Sequence, residues 1–129
     1  MTMVRRTRLA LITLVLAAMA TSAAADTLPI KGSYGNKDGC AYAKSGESTG
    51  SDDFFLLTPE AITTSASYCE FKKVLKTDGA SFTATVSCQE EGEENGTDYT
   101  AKLSSGPKGY TVTFTDDAAI HWGPMALCK

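Results

Sequence analysis

Apolar and polar residues alternate with a period of two along much of this chain, as is typical of strands with one buried face. Tyr99–Leu103 and Tyr110–Phe114 show the alternation most clearly, and Ser105–Gly109 between them has the composition of a turn. About seven or eight short strands follow one another, with turn signals roughly every 8 to 12 residues. No segment after residue 25 has a 3.6-residue apolar period of helical length, so helices are expected to be marginal.

This pattern predicts an all-β fold. A sheet of this size with one apolar face must close on itself or fold into two layers. We therefore expect a small antiparallel meander closed as a barrel, with a two-layer sandwich as the alternative. A barrel makes the first and last strands neighbours, which would bring Cys40 close to Cys128.

The strongest turn signal is Asp78-Gly79, because both central residues of a type I′ turn take positive φ. A two-residue loop here would pair Thr77 with Ala80, Leu75 with Phe82, Phe71 with Val86 and Cys69 with Cys88. Two residues break the alternation on this hairpin. Lys73 falls on the apolar face and Val74 on the polar face.

The chain has four cysteines, all of them after residue 25, an even number that is typical of a disulfide framework in a small domain. The hairpin favours Cys69 with Cys88, at a hydrogen-bonded pair where Cα atoms lie about 5.5 Å apart, and leaves Cys40 with Cys128. The main rival pairs Cys40 with Cys69 and Cys88 with Cys128. No C-x-x-C spacing is present, and we expect no metal site.

Residues 1–25 have the organisation of an export signal. Three arginines, the last of them Arg8, precede the apolar core Leu9–Ala20, which is too short to span a bilayer. Ala23-Ala24-Ala25 then offers a signal peptidase site before Asp26. We expect a bacterial precursor with one disulfide-stabilised domain, 26–129, located in the periplasm or medium, without a stable membrane anchor.

Removing this segment changes the charge of the chain. The 129 residues carry a net charge of −3, but all the arginines lie in the signal. The remainder has nine lysines against fifteen acidic residues, a net charge of about −6. Nucleic acid is therefore not an expected partner, because its phosphates attract basic surfaces.

Catalytic machinery is not evident in the sequence. The single histidine, His121, alternates with Ile120 and Trp122 and should lie on the outer face of the last strand. G-x-S-x-G, H-E-x-x-H and a phosphate-binding glycine loop are absent from the sequence. We expect neither an enzyme nor a cofactor.

The most distinctive polar segment is acidic. Its five carboxylates belong to Glu90, Glu91, Glu93, Glu94 and Asp98. The ordinary interpretation is a solvated connector, and the alternative is a binding site for a basic protein. With Ser105, Lys108 and Tyr110 of the following turn, these are the candidate partner-binding residues. The leading hypothesis is a non-catalytic binding or inhibitor protein of the envelope, and the alternative is a structural or stress-related envelope protein without a discrete ligand.

The chain contains four spaced motifs: Gly32-Ser33-Tyr34-Gly35, Cys69-Glu70-Phe71, Cys88-Gln89-Glu90-Glu91-Gly92 and Trp122 to Cys128. Their spacing resembles that of small exported four-cysteine β proteins of bacteria. Ser105-Gly106-Pro107-Lys108-Gly109-Tyr110 is also similar in composition to the inhibitory loop of periplasmic inhibitors of C-type lysozyme. That likeness implies a disulfide-bearing barrel, and we assign no inhibitory role to these positions from it.

Overall fold

Eight antiparallel strands, each hydrogen-bonded to its sequence neighbours, close into a barrel in this computed structural model, which describes residues 25–129. The elements in chain order are β1 (Tyr34–Gly35), α1 (Lys37–Ser45), β2 (Phe55–Leu57), β3 (Ala61–Thr64), β4 (Ser67–Asp78), β5 (Ser81–Glu90), β6 (Thr97–Gly106), β7 (Gly109–Phe114) and β8 (His121–Leu127). Closure occurs between β1 and β8, where Tyr34 pairs with Leu127. The predicted barrel is confirmed, and the sandwich alternative is wrong. The predicted signal peptide, apart from Ala25, lies outside the described residues.

Side chains from alternate strand positions fill the barrel interior, as expected for eight strands. β5 shows the period-two pattern over its whole buried length, and its inward residues are Phe82, Ala84, Val86 and Cys88. Leu28, in the segment before β1, is also buried in this core, and its N–H donates a 2.8 Å hydrogen bond to the Pro59 carbonyl. The N-terminal segment therefore packs against the barrel at the end where β2 and β3 connect.

The β4–β5 hairpin has the predicted register near the cysteines but not near the turn. Cys69 faces Cys88 as expected, whereas the predicted Thr77–Ala80 and Leu75–Phe82 pairs are wrong. Thr77 instead faces Phe82, and the turn lies at Gly79-Ala80, one residue later than predicted. Gly79 takes a φ of 58°, a left-handed value that a glycine adopts at little cost.

Two β-bulges in β4 absorb the difference in register. At each bulge, two β4 residues lie opposite one β5 residue. Lys72 is the extra residue between the Phe71–Val86 and Lys73–Thr85 pairs. Leu75 is the extra residue between the Val74–Ala84 and Lys76–Thr83 pairs. The bulges also explain the broken alternation. Val74 packs against the core, whereas Lys72 and Lys73 before it and Leu75 after it are exposed.

Both predicted disulfides are present, Cys40–Cys128 and Cys69–Cys88, so the rival connectivity is wrong. The Cys69 and Cys88 Cα atoms are 4.0 Å apart, closer than the 5.5 Å expected for a hydrogen-bonded pair. Moving the turn by one residue reverses which pairs of the ladder are hydrogen-bonded, which accounts for the shorter spacing. Two disulfides in a domain this small indicate an oxidising, extracytoplasmic location.

Helix α1 is the element that the sequence analysis missed. Asn36 caps its start, because the Asn36 side chain accepts a 2.9 Å hydrogen bond from Gly39 N–H. Gly46 ends it with a φ of 74°, and its N–H donates to the Tyr42 carbonyl. The same Asn36 oxygen accepts from Phe55 N–H at 3.2 Å, which fixes the helix against the start of β2.

Candidate functional site

Charge is segregated between the two ends of the barrel. We call one end the acidic end: it carries α1 with the loop to β2, the β3–β4 turn at Ser65-Ala66, the β5–β6 loop and the β7–β8 loop. Its acidic residues are Asp38, Glu47, Asp52, Asp53, Glu90, Glu91, Glu93, Glu94, Asp98, Asp116 and Asp117, and its lysines are Lys37 and Lys44. The acidic end therefore has a strongly negative field.

The opposite end, which we call the basic end, carries the N-terminal segment and the β2–β3, β4–β5 and β6–β7 turns. The lysines at or near this end are Lys31, Lys73, Lys76, Lys102, Lys108 and Lys129, and the acidic residues are Asp26, Glu60 and Asp78. The barrel is thus electrically polar along its axis, a property that the net charge of the chain does not show.

The predicted acidic segment is attached to the neighbouring β3–β4 turn. Ser67 Oγ donates a 2.7 Å hydrogen bond to Glu90 Oε2, and Glu91 N–H donates to the Ala66 carbonyl at 2.9 Å. Gln89 Nε2 reaches the Glu94 carbonyl at 3.1 Å. These bonds position the exposed carboxylates of Glu91 and Glu93 beside the turn.

A shallow groove of about 380 Å³, widely open to solvent, lies between the acidic loop and this turn. Tyr68 lines it and has 46% of its surface exposed. The outward position of Tyr68 follows from its place in β4, between buried Ser67 and buried Cys69. An exposed phenol beside carboxylates offers a partner both apolar contact area and hydrogen bonds.

A second groove, of about 340 Å³, lies on the other side of β3. Tyr42 of α1 lines it, 38% exposed, with its ring packed edge-to-face on Phe54 at a centroid distance of 5.5 Å. Residues Thr63–Ser65 border both grooves. The acidic end therefore presents two exposed tyrosines on either side of a strip of hydroxyl groups.

This arrangement has the chemistry of a binding surface. Its carboxylates accept hydrogen bonds and attract cations, its hydroxyl groups donate and accept, and its tyrosines supply contact area. Within residues 25–129, no three His, Cys, Asp or Glu side chains are grouped so as to hold a metal ion. No helix of this described part is long and apolar enough to cross a membrane.

The structure separates the predicted partner-binding residues into two groups. The acidic loop runs from the end of β5 into the start of β6, whereas Ser105 is near the far end of β6 and Lys108 lies in the following turn. Asp98 and Ser105 are seven residues apart in β6, a distance of about 23 Å along the strand, and the rest of the acidic loop lies farther from Ser105. They cannot contribute to one compact site.

Tyr110 belongs to the core. The residue is only 5% exposed, and its hydroxyl donates a 2.6 Å hydrogen bond to the Ala80 carbonyl. Burial raises the pKa of this phenol above its ordinary value, and the neighbouring Tyr34 raises the pKa further. Tyr110 therefore offers a partner almost no surface.

Tyr42 and Tyr68 are the site residues that the sequence analysis missed. Tyr68 could have been found from the sequence. It precedes inward-facing Cys69 in the strand, so alternation places this aromatic side chain on the outer face. The exposure of Tyr42 could not be predicted, because it depends on helix α1, which the sequence analysis did not predict. His121 is exposed on β8, as its alternation predicted.

Comparison with protein-family models, with curated proteins and with solved structures finds no match to this chain.

Proposed function

We propose that this protein is a non-catalytic binding module of the bacterial periplasm or medium, which captures a cationic protein at its acidic end. The observation that carries the proposal is the placement of exposed Tyr68 in a groove beside the carboxylates of Glu91 and Glu93. An aromatic anchor surrounded by a charged rim is a frequent composition of protein interfaces.

Electrostatics gives this surface its selectivity. The acidic end has eleven carboxylates against two lysines, so it attracts a basic partner and repels an acidic one. Exposed charges are screened over about 8 Å at physiological ionic strength, so attraction operates at close range. The two grooves then provide specific contacts for basic and aromatic side chains of the partner.

The hydrogen bonds of the acidic loop favour this proposal over a mobile connector. Ser67 and Ala66 hold Glu90 and Glu91 in place, which lowers the entropy that the loop would lose on binding. The predicted signal peptide and the two disulfides support the location outside the cytoplasm.

The experiment compares two variants that remove the same charge at opposite ends. The site variant is Glu91→Gln with Glu93→Gln, and the control is Glu60→Gln with Asp78→Asn. The exported protein and both variants are immobilised and incubated with envelope extract at low and high salt. Bound proteins are quantified by mass spectrometry.

We expect a basic protein to bind the wild type and the control at low salt and to be depleted on the site variant. High salt should release it. Equal capture by the site variant, or no salt-dependent capture by the wild type, would contradict the proposal and favour a structural role in the envelope.

A further inference from the structure

The two bulges in β4 concentrate positive charge on one outer face. Of the five consecutive residues Lys72 to Lys76, four are exposed and only Val74 packs against the core. A regular strand would send alternate residues inward, so it would expose two or three of the five. The bulges thus add outward lysines without loss of the core contact.

Lys102 of β6 adds a fourth lysine to this face. Lys76 pairs with Thr83, and Thr83 pairs with Lys102, so the three residues form a row across β4, β5 and β6. Paired residues of neighbouring strands lie on the same side of a sheet. The two lysines therefore flank the Thr83 hydroxyl, and a depression of about 190 Å³ lies between them.

Acidic neighbours offset part of this charge, but they form no close ion pair with Lys73, Lys76 or Lys102 within the described residues. Within residues 25–129, the lysine that forms an ion pair is Lys72, whose Nζ lies 3.2 Å from Glu70 Oε2. Asp78 is the acidic residue that lines the depression, whereas the Asp26 carboxylate near β4 accepts a hydrogen bond from Val74 N–H. Against the Asp26 and Asp78 carboxylates, the three lysines Lys73, Lys76 and Lys102 leave this face with a net charge of about +1.

Leu75 adds an exposed apolar side chain among these lysines. It is 51% exposed and lies between Lys73 and Lys76 in the sequence, at the second bulge. A leucine surrounded by lysines matches the interface of a bilayer, where lysines contact phosphates and apolar groups enter between headgroups.

We propose that Lys73, Leu75, Lys76, Thr83 and Lys102 form a docking surface for an anionic phospholipid bilayer. The lysines bind lipid phosphates, and Leu75 inserts between the headgroups. The surface lies on the barrel wall towards the basic end, so it does not include the residues of the acidic end. The proposal uses residues separate from those of the proposed function, so either can fail without the other.

The test is co-sedimentation with vesicles, using the protein recovered after export. One set of vesicles contains equimolar phosphatidylglycerol and phosphatidylcholine, and the other contains phosphatidylcholine alone. The charge variant changes Lys73, Lys76 and Lys102 to Gln, and its matched control changes Lys37, Lys44 and Lys129 to Gln. The apolar variant is Leu75→Ser, with Leu127→Ser as its control, since Leu127 is 53% exposed.

We expect wild-type protein to bind the anionic vesicles at low salt and to prefer them over phosphatidylcholine. The charge variant should lose roughly 100-fold in affinity, from the contribution of three lysines near an anionic surface. Leu75→Ser should weaken binding, and both controls should bind as the wild type does. Circular dichroism spectra establish that the variants fold.

Three results would overturn the proposal: no preference for anionic vesicles, equal losses in the charge variant and its control, or displacement by inorganic phosphate beyond that by chloride of equal ionic strength. The last result would identify a site for free phosphate instead of a bilayer surface.

Discussion

Asp26 Oδ2 accepts a 2.9 Å hydrogen bond from the Val74 backbone N–H, next to both bulges of β4. Asp26 N–H also donates to the Lys72 carbonyl at 3.1 Å. The β3–β4 ladder ends at Glu70, so these bonds occupy backbone groups of β4 that the β3 ladder does not reach. The first residue after the predicted cleavage site thus supports the irregular part of the barrel wall.

Asp26→Ala should therefore destabilise the protein, although Asp26 is exposed. We expect a loss of about 1 kcal/mol in the free energy of unfolding, because the Val74 N–H loses its acceptor. Denaturant titration measures the loss, with Asp52→Ala as the control that removes an exposed carboxylate elsewhere. Equal stabilities of the two variants would show that the Asp26 contact contributes nothing.

Gly39→Ala should destabilise the protein even though alanine favours helices by about 1 kcal/mol over glycine. A Cβ at residue 39 would overlap the Phe55 carbonyl oxygen, because α1 lies directly against β2. The resulting displacement of the helix should cost about 2 kcal/mol net in thermal or chemical denaturation. Stabilisation by the substitution would mean that the helix is not packed this closely.

Single cysteine substitutions should reveal both the pairing and the burial of the disulfides. In Cys40→Ser, the freed Cys128 is partly exposed and should react quickly with a thiol reagent. In Cys69→Ser, the freed Cys88 is buried in the core and should react slowly until denaturant is added. Mass spectrometry of the labelled peptides identifies the thiol, and labelling of Cys40 or Cys128 in Cys69→Ser would contradict the connectivity.

Stability should fall at alkaline pH through Tyr110. Burial raises the pKa of this phenol in the folded state, so the fold favours the protonated form. The contribution to stability is complete below about pH 10, the ordinary pKa, and is lost as pH rises through the raised pKa. Tyr110→Phe should make this decline less steep, and denaturant titration across that pH range measures it. If the variant declines as steeply as the wild type, the loss of stability comes from other groups. Tyr68→Phe is the matched control for the loss of one phenol.

The strand pattern and the disulfides could be predicted because both depend on local alternation and on strand order. The two bulges could not be placed from periodicity alone, because an extra residue reverses the alternation without a sequence motif of its own. The sequence nevertheless indicated an irregularity here, because an unbroken alternation would have placed Lys73 on the inner face and Val74 on the outer face.

Helix α1 escaped prediction for a different reason. It has nine residues and buries only Gly39, so it has no apolar stripe to detect. The features in the sequence that indicate the helix are its capping residues, Asn36 and Gly46, and these are recognisable only when a helix is already considered. The site was harder still, because grouping the acidic loop with Ser105–Tyr110 ignored the length of β6 between them.

The most direct test of the proposed binding site at the acidic end is a two-dimensional NMR titration of the isotope-labelled protein with a C-type lysozyme, chosen as a cationic probe. We predict saturable shift changes at low salt, grouped at Tyr42, Ser65–Tyr68 and the Glu90–Asp98 loop, and reversed by high salt. The Lys73–Lys76 segment should stay unchanged. No shift changes at low salt, or changes centred on the basic end, would contradict the account.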